Sequence, residues 1–445
     1  MLKCDLLVDS KDLRATLLKL KKDDDFTILL DMTAVDYSKF PDSTPSRFAV
    51  VYVLRSSDFK KETTVKAFVS DETLSVDTVS DIFPSANWAE REAYDQYGVI
   101  FLNHPNLKRV LNHKQFIGHP LRKDYKITQG QICTETEDLM DEMLPLLKSK
   151  GYTDEEIADL MLLNVGPSHP ASHGTIRNFV ALEGETIAAC VTEIGYLHRG
   201  FEKACEHHTY SQVIPYTDRL NYCSAILNNI GWAKAIEDMM KIEITPRAKM
   251  IRVVIGELSR IIDHFVCNAA NMVDLGGLTS LWYLFGARDQ AYDLLSKLTG
   301  ARLTNTYTRI GGLEFDLYDG FDKDLEEVLK TSEKAIEDVL SLIAHNKLFH
   351  DRTQDVGVIK ADFALANGIS GPNLRAAGVA HDLRKDKPYY GYENFDFDLV
   401  IGSHGDVYDR MMCRFEESIQ SIKIIRQAMK NMPDGAINVY APNLV

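Results

Sequence analysis

Two histidines, His169 and His173, lie in a nine-residue segment that is rich in proline and glycine. From Gly166 to Gly174 the segment reads Gly-Pro-Ser-His-Pro-Ala-Ser-His-Gly. Proline fixes φ and pushes the preceding residue toward extended geometry, so we predict a tight, rigid loop and not a regular helix. Such a loop can hold imidazoles against a bound molecule, and histidine changes its charge near neutral pH.

The spacing of these histidines leaves three chemistries open. On a helix, a spacing of four residues lets paired imidazoles bind zinc, but Pro170 stands where that motif has its glutamate. Histidines that bond to the backbone of their own loop would have a structural role. Histidines that exchange protons with a bound molecule would act in catalysis. Spacing alone does not decide between zinc binding, structure and proton transfer.

Other side chains that can carry or orient protons follow along the chain. They are His198 with Arg199, Asp218 with Arg219, Tyr222 and Asp274. A tyrosine hydroxyl can donate to a carbonyl oxygen, and a carboxylate can orient and recharge an imidazole. Reduction of a quinone takes two electrons and two protons, so these groups would serve it without a metal ion in the same chain.

Several other functional classes lack their usual sequence support. The chain has no phosphate-binding loop, no dinucleotide-binding glycine motif and no nucleophile elbow. Its seven cysteines never form a Cys-x-x-Cys pair, so we interpret them as reduced thiols and predict no metal site of its own. A formal net charge of −15 argues against a nucleic-acid surface, which needs clustered cations.

Length and hydropathy indicate a globular protein without a membrane span. The 445 residues suffice for two or three domains, and 45% of them are hydrophobic. No stretch approaches the ~20 apolar residues that cross a bilayer. The first residues lack a cationic segment followed by an apolar run, so we expect no secretion signal and a cytosolic location.

The pattern along the chain predicts an α+β protein with a small α/β N-terminal domain and a large, mostly helical domain. Strands are expected at 26–35, 47–54 and 64–69, where β-branched and aromatic residues are separated by turn residues. Residues 1–125 form the first domain, and an acidic, partly helical linker at 126–160 follows. The helical domain then occupies 161–445.

Three long amphipathic helices dominate the second domain. One should begin with Thr245 as its N-cap and Pro246 as its first helical residue. We interpret the three apolar stripes as core and not as a cofactor site. Their members are Ile251, Val254, Leu258, Ile261, Ile262, Phe265 and Val266; Leu325, Val328, Leu329, Ile336, Val339, Leu340 and Ile343; and Met411, Met412, Phe415, Ile419, Ile422 and Ile425.

Many blocks of this sequence resemble the fused C/D subunit of NADH:quinone oxidoreductase, respiratory complex I. Residues 88–125 are similar to the signature of the C part of that fusion, including Glu-Arg-Glu-Ala-Tyr-Asp at 90–95. Further blocks in the order of the D part lie at 166–174, 195–203, 215–220, 300–302, 309–312, 371–375 and 405–410. The resemblance implies a C-like first domain and a D-like helical domain, the latter akin to the large subunit of nickel–iron hydrogenases.

The resemblance also implies roles for individual residues. His173 and Tyr222 would be the ligands of the quinone headgroup, and Asp274 would be the partner of that histidine. Arg199, beside His198, would lie near the terminal iron–sulfur cluster, which the neighbouring B subunit holds. His169 would support the quinone loop.

The family further implies partners and a location. The substrate would be ubiquinone or menaquinone, and the 4Fe-4S cluster would belong to the partner, so this chain would bind no redox centre and be inactive alone. Its partners would be the B and I subunits together with the H and A subunits of the membrane arm. It would lie peripherally on the cytoplasmic side of the bacterial inner membrane, in an electron-transport chain that translocates protons.

Three positions depart from the family pattern. Asn221 stands where members commonly have aspartate, so we expect one local negative charge to be lost before Tyr222. Thr304 replaces a histidine whose protonation is tied to cluster reduction, which predicts weak pH coupling and a low-potential quinone such as menaquinone. The chain ends at Val445, so a C-terminal segment of the D part is expected to be missing.

Two rival functions have weaker support. A nickel–iron hydrogenase needs two Cys-x-x-Cys pairs as thiolate ligands, whereas Cys223 stands alone near the position of the first pair. A scaffold would dock other subunits without contacting quinone, and the N-terminal domain, which offers no obvious redox group, is expected to act in this way.

Overall fold

The structure is a computed structural model that describes residues 4–42, 44–136 and 138–440. The chain divides into two compact units. The first contains residues up to Ala204 together with Ala366–Gly368, and the second contains Cys205–Leu365 and the residues from Ile369 onward. Each unit has its own hydrophobic core.

The first unit begins with a four-stranded mixed sheet. Its strands are β1 (Leu6–Asp9), β2 (Ile28–Asp36), β3 (Phe48–Arg55) and β4 (Glu62–Val69). Their order is β1-β4-β3-β2, with β1 parallel to β4 and the other pairs antiparallel. The three strands predicted from the sequence are therefore confirmed as β2, β3 and β4.

Two helices and a short strand pair complete this part of the first unit. Helices α1 (Leu13–Asp23) and α2 (Ala86–Tyr97) contribute side chains to the same core as the sheet, and β5 (Ser75–Asp77) pairs in parallel with β6 (Ile100–Leu102). Helix α2 ends because Gly98 adopts φ +79, the left-handed geometry of a helix C-cap.

The rest of the first unit is a second, smaller sheet covered by a helix. Helices α3 (Met140–Ser149) and α4 (Asp154–Asp159) precede the antiparallel strands β7 (Met161–Val165), β8 (Arg177–Glu183) and β9 (Thr186–Glu193). Apolar side chains of α3 form a core with those of β8 and β9. A short helix, α5 (Phe201–Cys205), ends at the boundary of the unit.

The second unit is mostly helical. Its helices are α6 (Tyr210–Thr217), α7 (Ala225–Met240), α8 (Pro246–Asp274), α9 (Leu278–Thr299), α10 (Phe321–Ile343), α11 (Lys347–Thr353), α12 (Ala361–Ala366), α13 (Gly371–Ala376), α14 (Leu383–Asp386) and α15 (Val407–Lys430). A two-residue pair, β10 (Thr308–Arg309) and β11 (Gly312–Leu313), is antiparallel. The mixture of helices and strands predicted from the sequence is confirmed.

The longest helix, α8, begins as predicted. The Thr245 side chain accepts a hydrogen bond from the Ala248 amide, and Pro246 is the first helical residue. Apart from Val266, the three apolar stripes are confirmed as core of the second unit, although four members are only partly buried. These four are Val266, Leu340, Met412 and Ile419.

A buried carboxylate joins α8 to other elements of the second unit. Glu257 on α8 is fully buried, and its carboxylate accepts hydrogen bonds from Arg384 at 3.0 Å, Ser421 at 2.6 Å and Tyr392 at 2.5 Å. Arg260, one turn further along α8, adds a fourth contact at 3.1 Å. The charge is thus compensated by two guanidinium groups, as a buried ion requires.

None of these helices has the character of a membrane span. Among the residues that the structure describes, no helix combines the length and the apolar character that crossing a bilayer requires.

Candidate functional site

The loop that contains His169 and His173, residues 166–176 and here called the histidine loop, connects the neighbouring antiparallel strands β7 and β8. Its only regular piece is a single 3-10 turn, Pro170–Ser172, so the prediction of a loop that is not ordinary helix is confirmed. Gly166 opens the loop at φ +103, and a Cβ there would overlap the carbonyl oxygen of Ile176 at the other end. Only glycine therefore allows the two ends of the loop to meet.

The two histidines occupy different positions in this loop. His169 precedes the 3-10 turn, and its Nδ1 accepts a hydrogen bond from the Ala171 amide at 3.2 Å. This bond leaves Nε2 as the nitrogen that carries the proton of a neutral ring. His173 follows the turn in the left-handed conformation, at φ +47 and ψ +39, and is exposed.

The structure does not provide the α-helical geometry that the zinc-binding interpretation requires. His169 and His173 flank a 3-10 turn, so their spacing does not place both imidazoles on one face of an α-helix. Within the described ranges, no three His, Cys, Asp or Glu side chains are grouped as metal ligands. The bond at His169 is a local structural contact with the backbone of its own loop.

His198 and Arg199 lie in a turn that follows β9 in the same unit. The His198 amide donates to the Gly195 carbonyl at 2.9 Å, which closes the turn. Gly195 has φ +108, and a Cβ there would lie 2.5 Å from the carbonyl oxygen of Leu111. Arg199 is exposed and His198 is half-buried.

The backbone at Leu111 is itself fixed by a buried aspartate of α2. The Asp95 carboxylate accepts the amides of Val110, Leu111 and Asn112 at 3.2, 2.9 and 2.8 Å, and the Arg109 guanidinium at 2.6 Å. Burial works against ionisation, but these hydrogen bonds outweigh it and lower the pKa of Asp95. Asp95 thus supports the segment against which Gly195 packs.

Tyr222 belongs to the second unit and is well exposed. It is the first residue of the 3-10 turn Tyr222–Ser224, which leads directly into α7. Its side chain is 58% exposed. The phenol is therefore presented to whatever binds at this turn.

Asn221, directly before Tyr222, contacts a carboxylate of α8. Its Nδ2 lies 3.2 and 3.3 Å from the two carboxylate oxygens of Asp263. The carboxylate of Asp263 therefore stands beside position 221, where the side chain itself carries no charge. Burial raises the pKa of the neighbouring Cys223 thiol to about 11, and the charge of Asp263 adds to this effect.

Asp274 is the last residue of α8 and is exposed. It follows Asp263 by eleven residues of one continuous helix, which corresponds to about 16 Å along the axis at 1.5 Å per residue. Asp274 and the Tyr222 turn are therefore linked through α8. His173 belongs to the first unit, and its pairing with Asp274 stays a prediction.

Thr304, the position where the family resemblance implies histidine, lies in an unusual stretch of backbone. Thr304 has φ +50 and Thr306 has φ +47, values that are uncommon for β-branched residues. The buried carboxylate of Asp218 accepts both the amide and the hydroxyl of Thr306. Asp218 lies four residues before Tyr222, so this contact ties the Thr304 segment to the Tyr222 region.

Sequence reasoning missed Asp263 and the contact between Asp218 and Thr306. The paired residues are 42 and 88 positions apart in the chain. The departures from the family pattern at Asn221 and Thr304 drew attention to these two segments. They did not indicate that Asp263 contacts the first segment or that Asp218 contacts the second.

Comparisons with known proteins match this architecture. A family described as respiratory-chain NADH dehydrogenase, 30 Kd subunit, matches residues 6–131. A second family, described as respiratory-chain NADH dehydrogenase, 49 Kd subunit, matches residues 274–445.

Curated relatives cover almost the whole chain. The C/D subunit of NADH-quinone oxidoreductase from Bdellovibrio bacteriovorus is 46% identical over 439 residues, which are 98% of this chain and 77% of that relative. The protein of the same name from Psychrobacter cryohalolentis is 38% identical over 433 residues, 94% of this chain and 72% of the relative. The protein of that name from Nitrosospira multiformis is 37% identical over 429 residues, which are 94% of this chain and 71% of the relative. This chain belongs to the family of NADH-quinone oxidoreductase C/D subunits, in which two subunits of complex I are fused in one polypeptide.

Proposed function

We propose that this chain forms the quinone headgroup site of a proton-translocating NADH:quinone oxidoreductase. The observation that carries the proposal is Tyr222, a phenol that is 58% exposed on a turn held by hydrogen bonds to α7 and α8. Reduction of a quinone adds two electrons and two protons and converts both carbonyl oxygens to hydroxyls. A chain that takes part must therefore offer donors at those oxygens.

His173 and Tyr222 are the two donors in this proposal. A phenol hydroxyl donates one hydrogen bond, and an imidazole can donate from its protonated nitrogen to a second oxygen. When the quinone is reduced, each carbonyl oxygen gains one proton, and a donor that gives its proton must be recharged. His169 supports the loop through its bond to Ala171.

Asp274 is the proposed partner of His173 and the route by which its proton returns. The residue stands at the C-terminal end of α8, where the partial charge of the helix is negative. A carboxylate in that position is stabilised by a nearby cation, which a protonated imidazole supplies. In this proposal the carboxylate orients the imidazole and returns its proton.

Arg199 and His198 are proposed to lie near the terminal 4Fe-4S cluster of the neighbouring B subunit. That cluster supplies the electrons. Arg199 is exposed on its turn, so its guanidinium is available to another protein of the complex. A fixed positive charge there would raise the affinity of an acceptor for an electron by Coulomb attraction.

The proposal extends to the assembly. The quinone, ubiquinone or menaquinone, is reduced in a cavity formed with the B subunit and the membrane arm, and the released energy drives ion translocation there. The B, I, H and A subunits are the partners, and the chain lies peripherally on the cytoplasmic side of the membrane. It is inactive alone, and its helical unit shares the fold of nickel–iron hydrogenase large subunits.

The proposal is tested in the assembled complex with three substitutions, His173→Ala, Tyr222→Phe and Asp274→Asn. Loss of a positioned proton donor should lower quinone reduction about 100-fold for His173→Ala, with smaller losses for the others. NADH oxidation with ferricyanide, which does not use the quinone site, should stay at the parent level.

Matched controls are His345→Ala and Tyr440→Phe, since both side chains are exposed and neither belongs to the proposed site. Both should leave quinone reduction unchanged. If all three site variants also reduced quinone at the parent rate, the chain would be a scaffold and the proposal would be rejected.

A further inference from the structure

A polar pair flanks the exposed phenol of Tyr222. The Asn221 amide nitrogen donates to both carboxylate oxygens of Asp263, at 3.2 and 3.3 Å. Asp263 is half-buried on α8, whereas Asn221 is exposed. Hydrogen bonds to an ionised acceptor are stronger than those between neutral groups, so this pair fixes Asn221 on α8.

The backbone of Asn221 is held as well. Its carbonyl oxygen accepts a hydrogen bond from the Asn228 side chain on α7 at 3.0 Å, and one from the Ser224 amide at 3.1 Å. Asn221 is therefore bound to α8 by its side chain and to α7 by its backbone. Because Tyr222 is the next residue, the place of its phenol depends on these bonds.

The negative charge of Asp263 acts on the Cys223 thiol, which belongs to this turn. It contributes to the raised pKa of the Cys223 thiol, second to burial, and to that of Cys267 on α8. Cys223 directly follows Tyr222 in the 3-10 turn. The carboxylate thus supplies both a hydrogen-bond acceptor and the negative charge at the turn that carries the phenol.

We propose that Asp263 is a positioning residue for quinone reduction, which acts through Asn221 on Tyr222. This inference rests on the proposed function, in which Tyr222 binds the headgroup. The pair works because it contains one amide and one carboxylate in contact. The carboxylate can stand at position 221 or at position 263, provided that the amide stands at the other position.

Three variants, two single and one double, separate the charge from the hydrogen bond. Asp263→Asn leaves two amides, which can still bond to each other but carry no charge. Asn221→Asp places two carboxylates in contact, and such a pair retains a proton or repels. The double variant Asn221→Asp with Asp263→Asn restores one amide and one carboxylate with their places exchanged.

The variants are measured in the assembled complex with NADH and short-chain ubiquinone and menaquinone analogues. We expect Asp263→Asn to raise the quinone KM about tenfold, because a bond between two neutral amides replaces a stronger hydrogen bond to a charged acceptor. The double variant should return to within about twofold of the parent, because coupled residues compensate each other. A purely structural loss would not be recovered by exchanging the charge.

The pH profile gives a second readout. Asn221→Asp should reduce quinone better at pH 6 than at pH 8, because the carboxylate pair shares a proton only at the lower pH. The titratable groups whose pKa values respond to Asp263 are the thiols of Cys223 and Cys267, both raised by burial. Arg288 and Arg414, whose charges also reach these thiols, stay charged throughout this range.

Asp238→Asn is the matched control, since it removes an exposed carboxylate of α7 that pairs with Lys234. It should leave the quinone KM unchanged. Ferricyanide reduction and the amount of assembled complex are measured for every variant, and turnover is expressed per assembled complex.

The inference is overturned if Asp263→Asn keeps the quinone KM of the parent. It is also overturned if the double variant is no better than the worse single variant. Tyr222→Phe is measured alongside as a reference. A normal rate in Tyr222→Phe rejects the proposed function itself, whereas a loss there with a normal Asp263→Asn rejects only the role of Asp263.

Discussion

At the scale of single residues, Thr304 and Thr306 show how this chain differs from its family pattern. Both adopt positive φ, at +50 and +47, where the branched Cβ crowds the backbone. Asp218 binds the Thr306 amide and hydroxyl and so holds the segment in this conformation. Threonine at 304 cannot take up a proton, so this chain lacks the titratable side chain that the family resemblance implies at this position.

We predict that Thr304→His makes the potential of the partner's cluster depend on pH. Histidine is several-fold enriched at positive φ, so the backbone of Thr304 accepts it. Below its ordinary pKa of ~6.5, the protonated ring favours the reduced cluster, and this effect is lost as the pH rises. The potential should then fall with pH, at most ~59 mV per unit for one proton per electron.

The measurement is a redox titration of the cluster, followed by electron paramagnetic resonance, at pH 6, 7 and 8. The parent complex should show a shallow slope, and its quinone should be a low-potential one such as menaquinone. A steep slope in the parent would contradict the weak coupling that we infer from Thr304.

At the scale of elements, Asp95 links α2 to the turn that carries His198 and Arg199. Its carboxylate binds three consecutive amides, and the carbonyl of Leu111 packs against Gly195. The chain of contacts runs from a helix of the C part to a turn that we propose for the D part. The signature residues of one part therefore help to shape the other within the same compact unit.

We predict that Asp95→Asn destabilises this unit by about 3 kcal/mol, because its NH2 group must replace one carboxylate oxygen and each of these oxygens accepts from at least two donors. The pKa of Asp95 is lowered in the folded state, so its contribution is present above the unfolded pKa of ~3.9 and is lost in acid. The difference between parent and variant should therefore shrink below about pH 4.

Thermal unfolding of the purified complex at pH 7 and pH 3 measures this effect, because the contribution of Asp95 is lost only below its unfolded pKa of ~3.9. Asp159→Asn, an exposed change on α4, is the control and should leave the transition in place. An equal loss at both pH values would mean that packing, and not the carboxylate charge, accounts for the destabilisation.

At the scale of the whole molecule, each compact unit has its own core, and the helical one encloses charged groups. Glu257 is fully buried and contacts Arg260, Arg384, Tyr392 and Ser421. Burial opposes its ionisation, but the two guanidinium charges and the hydrogen bonds lower its pKa to about 2. The core of this unit is therefore organised around a carboxylate that stays charged at neutral pH.

We predict that Glu257→Gln lowers the free energy of unfolding by about 3 kcal/mol at neutral pH, because the Arg260 guanidinium loses its carboxylate partner and Arg384 keeps only that of Asp382. The parent holds this stability above the unfolded pKa of ~4.3 and loses it as the pH falls toward the folded value. Thermal unfolding of the complex checks the prediction, with the exposed Glu327→Gln as its control. A transition within one degree or so of the parent would refute it.

The sequence predicts those parts of the fold that depend on residues close together in the chain. The period of about 3.6 residues located α8, α10 and α15, and the cap at Thr245 located the start of α8. The Asn221–Asp263 contact could not be predicted in the same way, because it depends on how the Tyr222 turn packs on a helix 42 positions away. Family resemblance named Tyr222 but not the residue that holds its turn.

The meeting of Gly166 with Ile176 has a consequence for the affinity of the histidine loop. Because the two ends of the loop are in contact, the fold constrains the short segment between them before anything binds. Ordering a free backbone costs about 1–2 kcal/mol per residue in conformational entropy. The headgroup that we propose to bind at His173 would avoid this entropic cost, because the loop is already in place before binding.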